Sequence, residues 1–523
     1  MSLNRSRTRV HRLAGAVCVA ALVLPAAPRA AEAPLPQKND AYFVSALEQM
    51  RKIQARKPNT SRAKNVILFI GDGYGVSSMT ATRIFRGQQL GGDGPSHKLP
   101  HEALPYAAMS RTYAHDSLAT DSAPSAVAMT TGVKSNNNML GLSGSAVWRE
   151  CAASKGKEVT TIGEIAKALD MSVGAVSTAR ITDATPAAMY AHAPHRSWES
   201  DADLTEEALK AGCPDIARQI VEFGHGDGLD VMFGGGRMNF LPATMDDPEY
   251  PDQKGKRKDG RDLTREWLKR YSNSGAYAWN RDMFDKINPG STRHALALFE
   301  RTDMRYEADR AKDRGGEPSL TEMTMKALDI LSKNPKGYVL MVEGGRIDHG
   351  SHANNAYRTL TDAVAFEEAI KATLARVNLK DTLVIVTADH SHTLTINGYP
   401  DRDTPILGLV KERGKTALDL NGKPYTILSF TNGPGAKDGP RDNIGETDTL
   451  DPDYVQQSLV PLSSETHTGE DVAIFAGGPW AHLFQGVVDE NYVFFVMDQA
   501  LQATKRLPKG GAVARARVSQ AQK

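Results

Sequence analysis

The sequence Gly337-Tyr-Val-Leu-Met-Val-Glu-Gly-Gly-Arg-Ile-Asp-His-Gly-Ser-His352 joins an apolar run to a dense set of polar side chains. Residues 337–342 are typical of a buried strand, which would end at Glu343. Open α/β sheets bind ligands at the carboxyl ends of their strands, so the pattern predicts a site at Glu343. Asp348 and His352 are four residues apart, so in a helical turn they share one face and can hold one cation. For this stretch alone, a polar loop with scattered histidines is an equally good explanation.

Other predicted strands and turns end in the same kinds of side chain. Apolar runs at residues 65–72, 172–178 and 382–389 predict further buried strands. Mixed histidine and carboxylate ligation suits zinc, and carboxylates with a hydroxyl suit magnesium. The additional candidate ligands are Asp72, Asp183, Thr185, Asp389, His390 and His467. The sequence therefore predicts a site with more than one metal ion where the strand ends meet.

A candidate nucleophile lies at the start of a predicted helix. Pro124 just inside its start and Gly132 just past its end indicate a helix that begins near Ser122. Free backbone N–H groups and the helix dipole favour phosphate at that position. Ser122 beside two metal ions would suit phosphoryl transfer. Taken alone, the segment is better explained by Asp121 or Ser122 capping the helix.

The N-terminus has the pattern of a secretory signal peptide over residues 1–31. Several arginines precede a short apolar run, residues 13–24, and small residues follow it. Removal of residues 1–31 would give a net charge of −4, which does not indicate nucleic-acid binding. No later segment is long and apolar enough to cross a membrane, and no lipid-anchor tail ends the chain. We expect an exported, soluble protein, periplasmic or extracellular.

The rest of the chain predicts one large domain, residues 63–504. A helical arm over residues 34–62 precedes it, and a basic tail, residues 505–523, is expected to be disordered. Residues 398–463 have the composition of an insertion, and residues 245–318 that of charged loops around an apolar island at Phe299–Glu300. Cys151 and Cys213 would most simply form one disulfide, with buried free thiols as the alternative.

Several segments together resemble the signature segments of alkaline phosphatases. They are Asp72-Gly, Asp121-Ser-Ala, Glu343-Gly-Gly-Arg-Ile-Asp-His-Gly-Ser-His352, Thr387-Ala-Asp-His-Ser-His392 and Glu465-Thr-His-Thr-Gly-Glu-Asp471. The resemblance runs from about residue 40 to about residue 500, and Asp247-Pro-Glu-Tyr-Pro251 is similar to animal-type members. It implies a large mixed, mostly parallel sheet between helices, a crown-like subdomain at 398–463, and a homodimer.

The resemblance also implies two zinc ions and one magnesium ion. The ligands would be Asp348, His352 and His467 for the first zinc, Asp72, Asp389 and His390 for the second, and Asp72, Thr185 and Glu343 for magnesium. Asp183 and His349 would lie behind these ligands. Asp183 is the choice of bacterial members and His349 that of animal-type members, so this chain combines two patterns.

Ser122 would be the nucleophile, Arg196 would bind phosphate with its planar fork, and Asp121 would orient Arg196. Arg180 is a competing candidate, but it precedes the Asp183-Ala-Thr-Pro segment instead of following it, and we interpret it as structural. Animal-type members also have a calcium-like site. Its ligands here would be Glu249, the Phe299 carbonyl, Glu300, and Glu317 in place of an aspartate. The pair Cys151–Cys213 matches a disulfide of that group.

The implied function is hydrolysis of phosphate monoesters through a phosphoserine intermediate. Phosphodiesterases and sulfatases of the same superfamily are the nearest alternative. They typically use a threonine or a modified cysteine as nucleophile and lack an arginine at the position of Arg196. A catalytically inactive metal- or phosphate-binding protein would require loss of a ligand or of Ser122, and every expected position is filled.

Overall fold

The computed structural model describes residues 35–508, so the predicted signal peptide lies outside the described residues. The chain divides into two units at Lys57. The first contains a helical turn, Pro36–Asn39, and helix α1, Ala41–Gln54, where the arm was predicted to be helical. The Asp40 carboxylate caps α1 by accepting a hydrogen bond from the backbone N–H of Tyr42 at 2.9 Å.

The second unit contains a ten-stranded sheet and several two-stranded pairs. The strands are β1 Asn65–Gly71, β2 Tyr106–Arg111, β3 Ser172–Arg180, β4 Val231–Gly235, β5 Gly275–Ala278, β6 His294–Leu298, β7 Tyr338–Gly344, β8 Thr382–Ala388, β9 Ser391–His392, β10 Thr395–Ile396, β11 Lys411–Glu412, β12 Lys415–Thr416, β13 Leu428–Ser429, β14 Asn432–Gly433, β15 Val460–Pro461, β16 His467–Thr468, β17 Val472–Gly477 and β18 Val487–Asp489. The order in the large sheet is β18-β2-β17-β8-β1-β7-β3-β4-β6-β5. Within this sheet β17 is antiparallel to both neighbours, and every other pairing is parallel. The expected mixed, mostly parallel sheet is confirmed.

Helices cover both faces of this sheet. Alternate residues of β1 point to opposite sides: Val66 and Leu68 join one hydrophobic cluster, and Ile67 and Phe69 join the other. The helices of the second unit are α2 Val76–Gln89, α3 Ser122–Thr131, α4 Cys151–Ser154, α5 Ile162–Ala168, α6 Ala184–Ala187, α7 Glu206–Ala211, α8 Ile216–Val221, α9 Leu263–Arg270, α10 Arg281–Lys286, α11 Leu320–Leu331, α12 Arg346–His352, α13 Ala356–Arg376, α14 Tyr492–Leu501 and α15 Ala503–Arg506. None of the helices between residues 35 and 508 has the length and apolar character that a membrane span requires.

Residues 245–318 differ from the predicted charged loops. They contain α9, α10 and the strands β5 and β6, which extend the large sheet. All five residues of β6 are buried, yet the strand is too short, and contains too many alanines, for its pattern to stand out in a charged segment. Phe299 and Glu300 directly follow β6.

The insertion at 398–463 contains only short strands: β11 pairs with β12, β14 pairs with β15, and β13 pairs with β10, which lies just before the insertion. Its side chains pack on α2 and α13 through the cluster that contains Phe85, Leu360 and Phe430. At the C-terminus, Lys505 and Arg506 belong to α15, so at these residues the structure differs from the predicted disordered tail. The rest of that tail, from residue 509, lies outside the described residues.

Candidate active site

Three neighbouring parallel strands deliver acidic side chains to one edge of the sheet. Gly71 of β1 pairs with Gly344 of β7 on one side and Ala388 of β8 on the other. Asp72 and Asp389 therefore follow adjacent strand ends at the same level, and Glu343 lies within β7 beside them. Each is 6% exposed or less. This arrangement places three carboxylates together where open α/β sheets bind ligands.

Ser122 is the first residue of α3, and its hydroxyl faces these carboxylates. The Ser122 Oγ lies 3.2 Å from the His390 Nε2 and 3.4 Å from Asp72 Oδ1. The Asp121 carboxylate caps the helix instead, because its Oδ1 accepts from the Ala123 N–H at 2.9 Å. The capping alternative thus applies to Asp121 and leaves the Ser122 hydroxyl available at a helix N-terminus.

A first group of possible metal ligands comprises Asp348, His352, His392 and His467. The Nε2 atoms of His352 and His467 are 3.2 Å apart, and each lies 3.3 Å from an oxygen of Asp348. The Nδ1 atoms of both histidines point away, toward the carbonyl oxygens of Glu465 and Thr120. When each Nδ1 donates its hydrogen to a carbonyl oxygen, each Nε2 keeps a lone pair, and the two lone pairs are directed at one another. This tautomer is the one that binds a metal ion through Nε2.

His392 was not among the predicted ligands. Its Nε2 lies 2.8 Å from Asp348 Oδ1, and its Nδ1 contacts the buried carboxylate of Glu465. Gly73, with φ +64°, allows the imidazole of His392 to pass close to the backbone, since a Cβ there would lie 2.3 Å from the ring. His392 therefore orients Asp348 from behind, as residues behind metal ligands do. In the sequence, the position of His392 two residues after His390 was the feature that could have indicated this role.

A second group surrounds the His390 Nε2. Asp72 Oδ1 lies 3.2 Å from this nitrogen and Asp389 Oδ2 lies 3.4 Å from it. The other oxygen of Asp389 accepts from the Gly73 N–H at 3.0 Å, whereas Oδ2 is buried and accepts no hydrogen bond from residues 35–508. A buried carboxylate oxygen without a donor is costly, so the geometry fits a cation among these three side chains.

Glu343 and Thr185 meet on the other side of Asp72. The Thr185 hydroxyl is buried beside the Glu343 carboxylate, and its hydrogen bond lowers the pKa of Glu343. Glu343 also accepts from the Ser177 hydroxyl, a contact that the sequence did not suggest. Two carboxylates and a hydroxyl form an oxygen-rich site of the kind that suits a hard cation.

The electrostatics of the site are unfavourable without bound cations. Burial raises the pKa of Asp72 well above its usual range, and repulsion from Asp389 and Asp348 raises it further. Burial also raises the pKa of Glu343 to about 8, although the bond from Ser177 opposes this shift. Conversely, burial and nearby His467 lower the pKa of His390. Cations at these positions would stabilise the ionised carboxylates and the neutral imidazoles together.

Arg196 and Arg180 have different surroundings. The Arg196 guanidinium donates to Asp121 Oδ1 at 2.8 Å and to Asp183 Oδ1 at 2.7 Å, which holds it beside the start of α3. Arg180 is bound by three acidic side chains, Asp183, Glu199 and Asp303. Its donors are largely occupied, in agreement with the structural role predicted for it. His349 lies with Asp183 and Asp303 in a third group behind the site.

A separate group of carboxylates, called here the outer cluster, comprises Glu249, Glu300 and Asp313. Asp313 was not predicted. The predicted Glu317 instead accepts from the Arg305 backbone N–H at 3.0 Å, and the Phe299 carbonyl accepts from Arg237 at 3.1 Å. The loop before Glu317 thus brings an aspartate to the cluster from four residues earlier. Sequence spacing could not have determined this, because loop conformation sets which acid reaches the cluster.

The predicted disulfide between Cys151 and Cys213 is present, with the Cα atoms 6.1 Å apart. The fold and the groups of possible metal ligands at the strand ends suit a hydrolase of phosphate esters. The alkaline phosphatase family profile matches residues 63–503. The chain belongs to the alkaline phosphatase family and is a phosphoric monoester hydrolase.

Similar proteins agree with this assignment. The chain is 43% identical over 448 residues to an alkaline phosphatase of Gadus morhua, covering 84% of this chain and 92% of that protein. It is 42% identical over 476 residues to the tissue-nonspecific alkaline phosphatase of Rattus norvegicus, covering 89% of each. Among solved structures, the alkaline phosphatase of Thermus thermophilus matches with a TM-score of 0.61 at 25% identity, covering 86% of this chain and 94% of that one. The enzyme from the Antarctic bacterium TAB5 matches with a TM-score of 0.58 at 25% identity, covering 85% and 99%.

Proposed function

We propose that Ser122 is the nucleophile of this phosphatase. The observation that supports the proposal is the position of its Oγ, at a helix N-terminus and within 3.4 Å of both His390 Nε2 and Asp72 Oδ1. The Ser122 hydroxyl loses its proton to solvent, and its Oγ forms a bond to phosphorus while the bond from phosphorus to the leaving oxygen breaks. The leaving oxygen takes up a proton from solvent and departs as the alcohol. Water then attacks the phosphoserine and releases inorganic phosphate, which regenerates Ser122.

Three metal ions complete the proposal. Zinc fits the two groups that contain imidazole nitrogens, the first with Asp348, His352 and His467, the second with Asp72, Asp389 and His390. Magnesium fits the oxygen atoms of Asp72, Thr185 and Glu343. The contact between the buried Thr185 hydroxyl and Glu343 supports the magnesium position, and the unpaired Asp389 Oδ2 supports the second zinc position. Such ions supply a lowered hydroxyl pKa and stabilisation of oxygen anions when bound.

A related protein supports magnesium at the third site. In a mutant of the TAB5 alkaline phosphatase, with aspartate replacing a histidine, magnesium is bound in the site called M3. In this chain Asp183 accepts hydrogen bonds from Arg196 and Arg180. Burial raises the pKa of Asp183, but the positive charges of the two arginines outweigh burial and hold this pKa well below its usual range. An ionised Asp183 favours a cation, directly or through its water.

Arg196 binds the phosphate group in this proposal. Asp121 and Asp183 each accept one hydrogen bond from its guanidinium, which has five N–H donors, so donors remain for two phosphate oxygens. The two carboxylates also fix the guanidinium plane before substrate arrives. This positioning favours a dianionic monoester, which offers three terminal oxygens, over a diester, which offers two.

Export, dimerisation and the domain limits are further parts of the proposal. The disulfide Cys151–Cys213 supports an oxidising compartment, in agreement with a signal peptide at residues 1–31 and a mature domain at 63–504. Residues 398–463 expose the large apolar side chains of Tyr399, Leu420 and Leu459, which supports a crown-like role at a homodimer interface. Calcium is proposed for the outer cluster, with its carboxylate oxygens as ligands.

The test compares a chromogenic phosphate monoester with the matching diester at alkaline pH. The wild type and Ser122→Ala are each assayed as isolated, after chelation, and after zinc and magnesium are returned. We expect fast monoester turnover that chelation abolishes and metals restore, and a loss of at least about 10³-fold in Ser122→Ala. Preference for the diester would instead indicate a phosphodiesterase. Ser122→Thr, which keeps a hydroxyl, is the matched control for folding.

A further inference from the structure

An open cleft of about 770 Å³ lies beside helix α12, which carries Asp348 and His352. Arg346 at the start of α12 and Ala353 just after its end line the cleft, and Glu300 of the outer cluster lines another part of it. The cleft therefore extends from the helix of the active site to the outer cluster. Its volume is in the range of small-molecule sites.

Positive charge predominates in this cleft. Three acidic side chains line it, against five basic ones: Arg301, Arg305, Lys312, Arg346 and Arg358. The net charge expected for the protein without residues 1–31 is −4, so the excess of basic side chains is local. A concave surface with an excess of one sign of charge concentrates ligands of the opposite sign.

Ion pairs connect the cleft to the phosphate-binding arginine. Arg196 donates to Asp183 at 2.7 Å, and Asp183 also accepts from Arg180 at 2.6 Å. Arg180 in turn donates to Asp303 at 2.6 Å, and Asp303 lines the cleft. On the other side Arg346 Nη1 lies 2.7 Å from the His349 Nδ1. Asp303, which lines the cleft, thus has a carboxylate oxygen within 4.8 Å of one of Asp183, the carboxylate that binds Arg196.

The floor of the cleft is rigid. The Arg346 guanidinium lies 3.7 Å from the centre of the Tyr306 ring, and the Arg358 guanidinium lies 5.5 Å from it. Arg358 is itself held by Asp309 at 3.0 Å. Stacked cations that are already ordered lose little conformational entropy when a ligand binds.

Two exposed cations in the cleft have donors to spare. The side chains of Arg305 and Lys312 are 46% and 79% exposed. Arg305 bonds to Glu300 and to the Tyr250 hydroxyl, which uses only part of its five N–H donors. Lys312 bonds to Asp309 at 3.0 Å, which uses one of its three donors. Both side chains can therefore bind an additional phosphate without losing their present partners.

We propose that this cleft binds a second phosphate, carried by the leaving group of an extended phosphate monoester. The inference rests on the proposed function, because the first phosphate occupies the site at Ser122 and Arg196. It adds a substrate class: esters with two phosphate groups, separated by a spacer that reaches from Arg196 to the cleft. Arg305 and Lys312 are specificity-determining residues in this proposal.

The experiment uses α,ω-alkanediol bisphosphates of increasing chain length and the matching ω-hydroxyalkyl monophosphates. Initial rates of phosphate release give kcat/KM for each, halved for the bisphosphates because they offer two equivalent scissile groups. At the spacer length that fits, we expect the bisphosphate to exceed the monophosphate by about fivefold, as for two partly exposed ion pairs. Arg305→Gln/Lys312→Gln should lose this preference and keep its monophosphate rate. Replacing the second phosphate by a carboxylate tests whether any anion suffices.

Lys210→Gln is the matched control. Lys210 is also 79% exposed and paired on its own helix, with Glu206, but it lies outside the cleft. Equal kcat/KM values for both substrates at every length would overturn the proposal, and so would equal losses for both substrates in the double variant.

A separate binding measurement keeps the two proposals distinguishable. Alkane bisphosphonates and monophosphonates resist hydrolysis, so calorimetry reports the second anion without turnover. Tighter bisphosphonate binding that depends on Arg305 and Lys312 supports the cleft even if monoester hydrolysis fails. Hydrolysis of monoesters without any bisphosphonate preference would leave the phosphatase assignment intact and reject the cleft.

Discussion

The central site and the outer cluster both contain buried carboxylates, but different charged groups surround these carboxylates. In the centre, lone pairs face one another, as at His352 Nε2 and His467 Nε2, 3.2 Å apart. In the outer cluster, Arg237 donates to Glu249 at 2.9 Å and Arg305 pairs with Glu300 at 3.1 Å. Arginines therefore supply part of the counter-charge in the outer cluster, although burial still raises the pKa values of Glu249 and Asp313. In the central site, imidazole nitrogens and carboxylate oxygens instead converge on shared positions.

The two regions also differ in how the chain supports them. Most central ligands lie on or shortly after β1, β7 and β8, whose register fixes their positions, while Thr185 lies on α6 and His467 on β16. The outer cluster draws Glu249 and Asp313 from loops, and only Glu300 lies next to a strand. We therefore expect changes in the centre to abolish catalysis, and changes in the outer cluster to alter stability.

The largest expected effect is that of His390→Ala in the central site. Loss of the nitrogen next to Ser122 Oγ should lower kcat by at least about 10³-fold and reduce the bound zinc by one equivalent. Steady-state kinetics and metal analysis of the purified protein measure both. Full zinc content with wild-type kcat would show that this group is not a metal site.

The next largest effect distinguishes the catalytic contributions of the two arginines that bind Asp183. Arg196→Lys keeps the charge but loses the planar fork, so kcat/KM for a monoester should fall by about 10²-fold. Arg180→Lys is the same chemical change at the structural arginine, and we expect less than about a fivefold loss in kcat/KM with a lower Tm. If the two variants lost equal activity, the assignment of phosphate binding to Arg196 alone would be wrong.

Stability against pH tests the outer cluster. Burial raises the pKa of Glu317 to about 9, with Asp313 adding repulsion. Between its ordinary pKa and about 9 the folded state holds this proton and the unfolded state does not, so stability falls as pH rises. In chelator, the contribution of Glu317 to the unfolding free energy should drop by about 4 kcal/mol from pH 5 to pH 8. Urea unfolding measures it.

Glu317→Gln should make that decline shallower, because glutamine does not titrate. Added calcium should reduce it in the wild type, because a cation stabilises the carboxylates. Identical pH profiles for wild type and Glu317→Gln would contradict the raised pKa.

The smallest expected effect is that of Glu300→Gln on catalysis. Glu300 lies in the outer cluster, so kcat should stay within about twofold of wild type, as for sites without shared partners. The affinity of the Glu300→Gln variant for calcium, measured by calorimetry, should be lower than that of the wild type. A loss of activity comparable to that of His390→Ala would remove the distinction between the two regions.

The contrast between the two regions also explains which features were predictable. Long apolar runs such as those before Asp72 and Asp389 are visible in sequence because both faces of their strands are buried. The strands β5 and β6 are short and lie in a charged segment, so no local pattern marked them. β6 pairs with β4 and β5 pairs with β6, so both strands depend on long-range interactions.

By itself, the sequence determined the strand ends and the family motifs, because regular periodicity and fixed spacing are local properties. It also placed the helix that starts at Ser122. Only the tertiary structure brought His392 behind Asp348, Ser177 to Glu343 and Asp313 to the outer cluster. Those contacts join residues from distant segments, and their geometry follows from sheet order and loop conformation, which one-dimensional spacing does not encode.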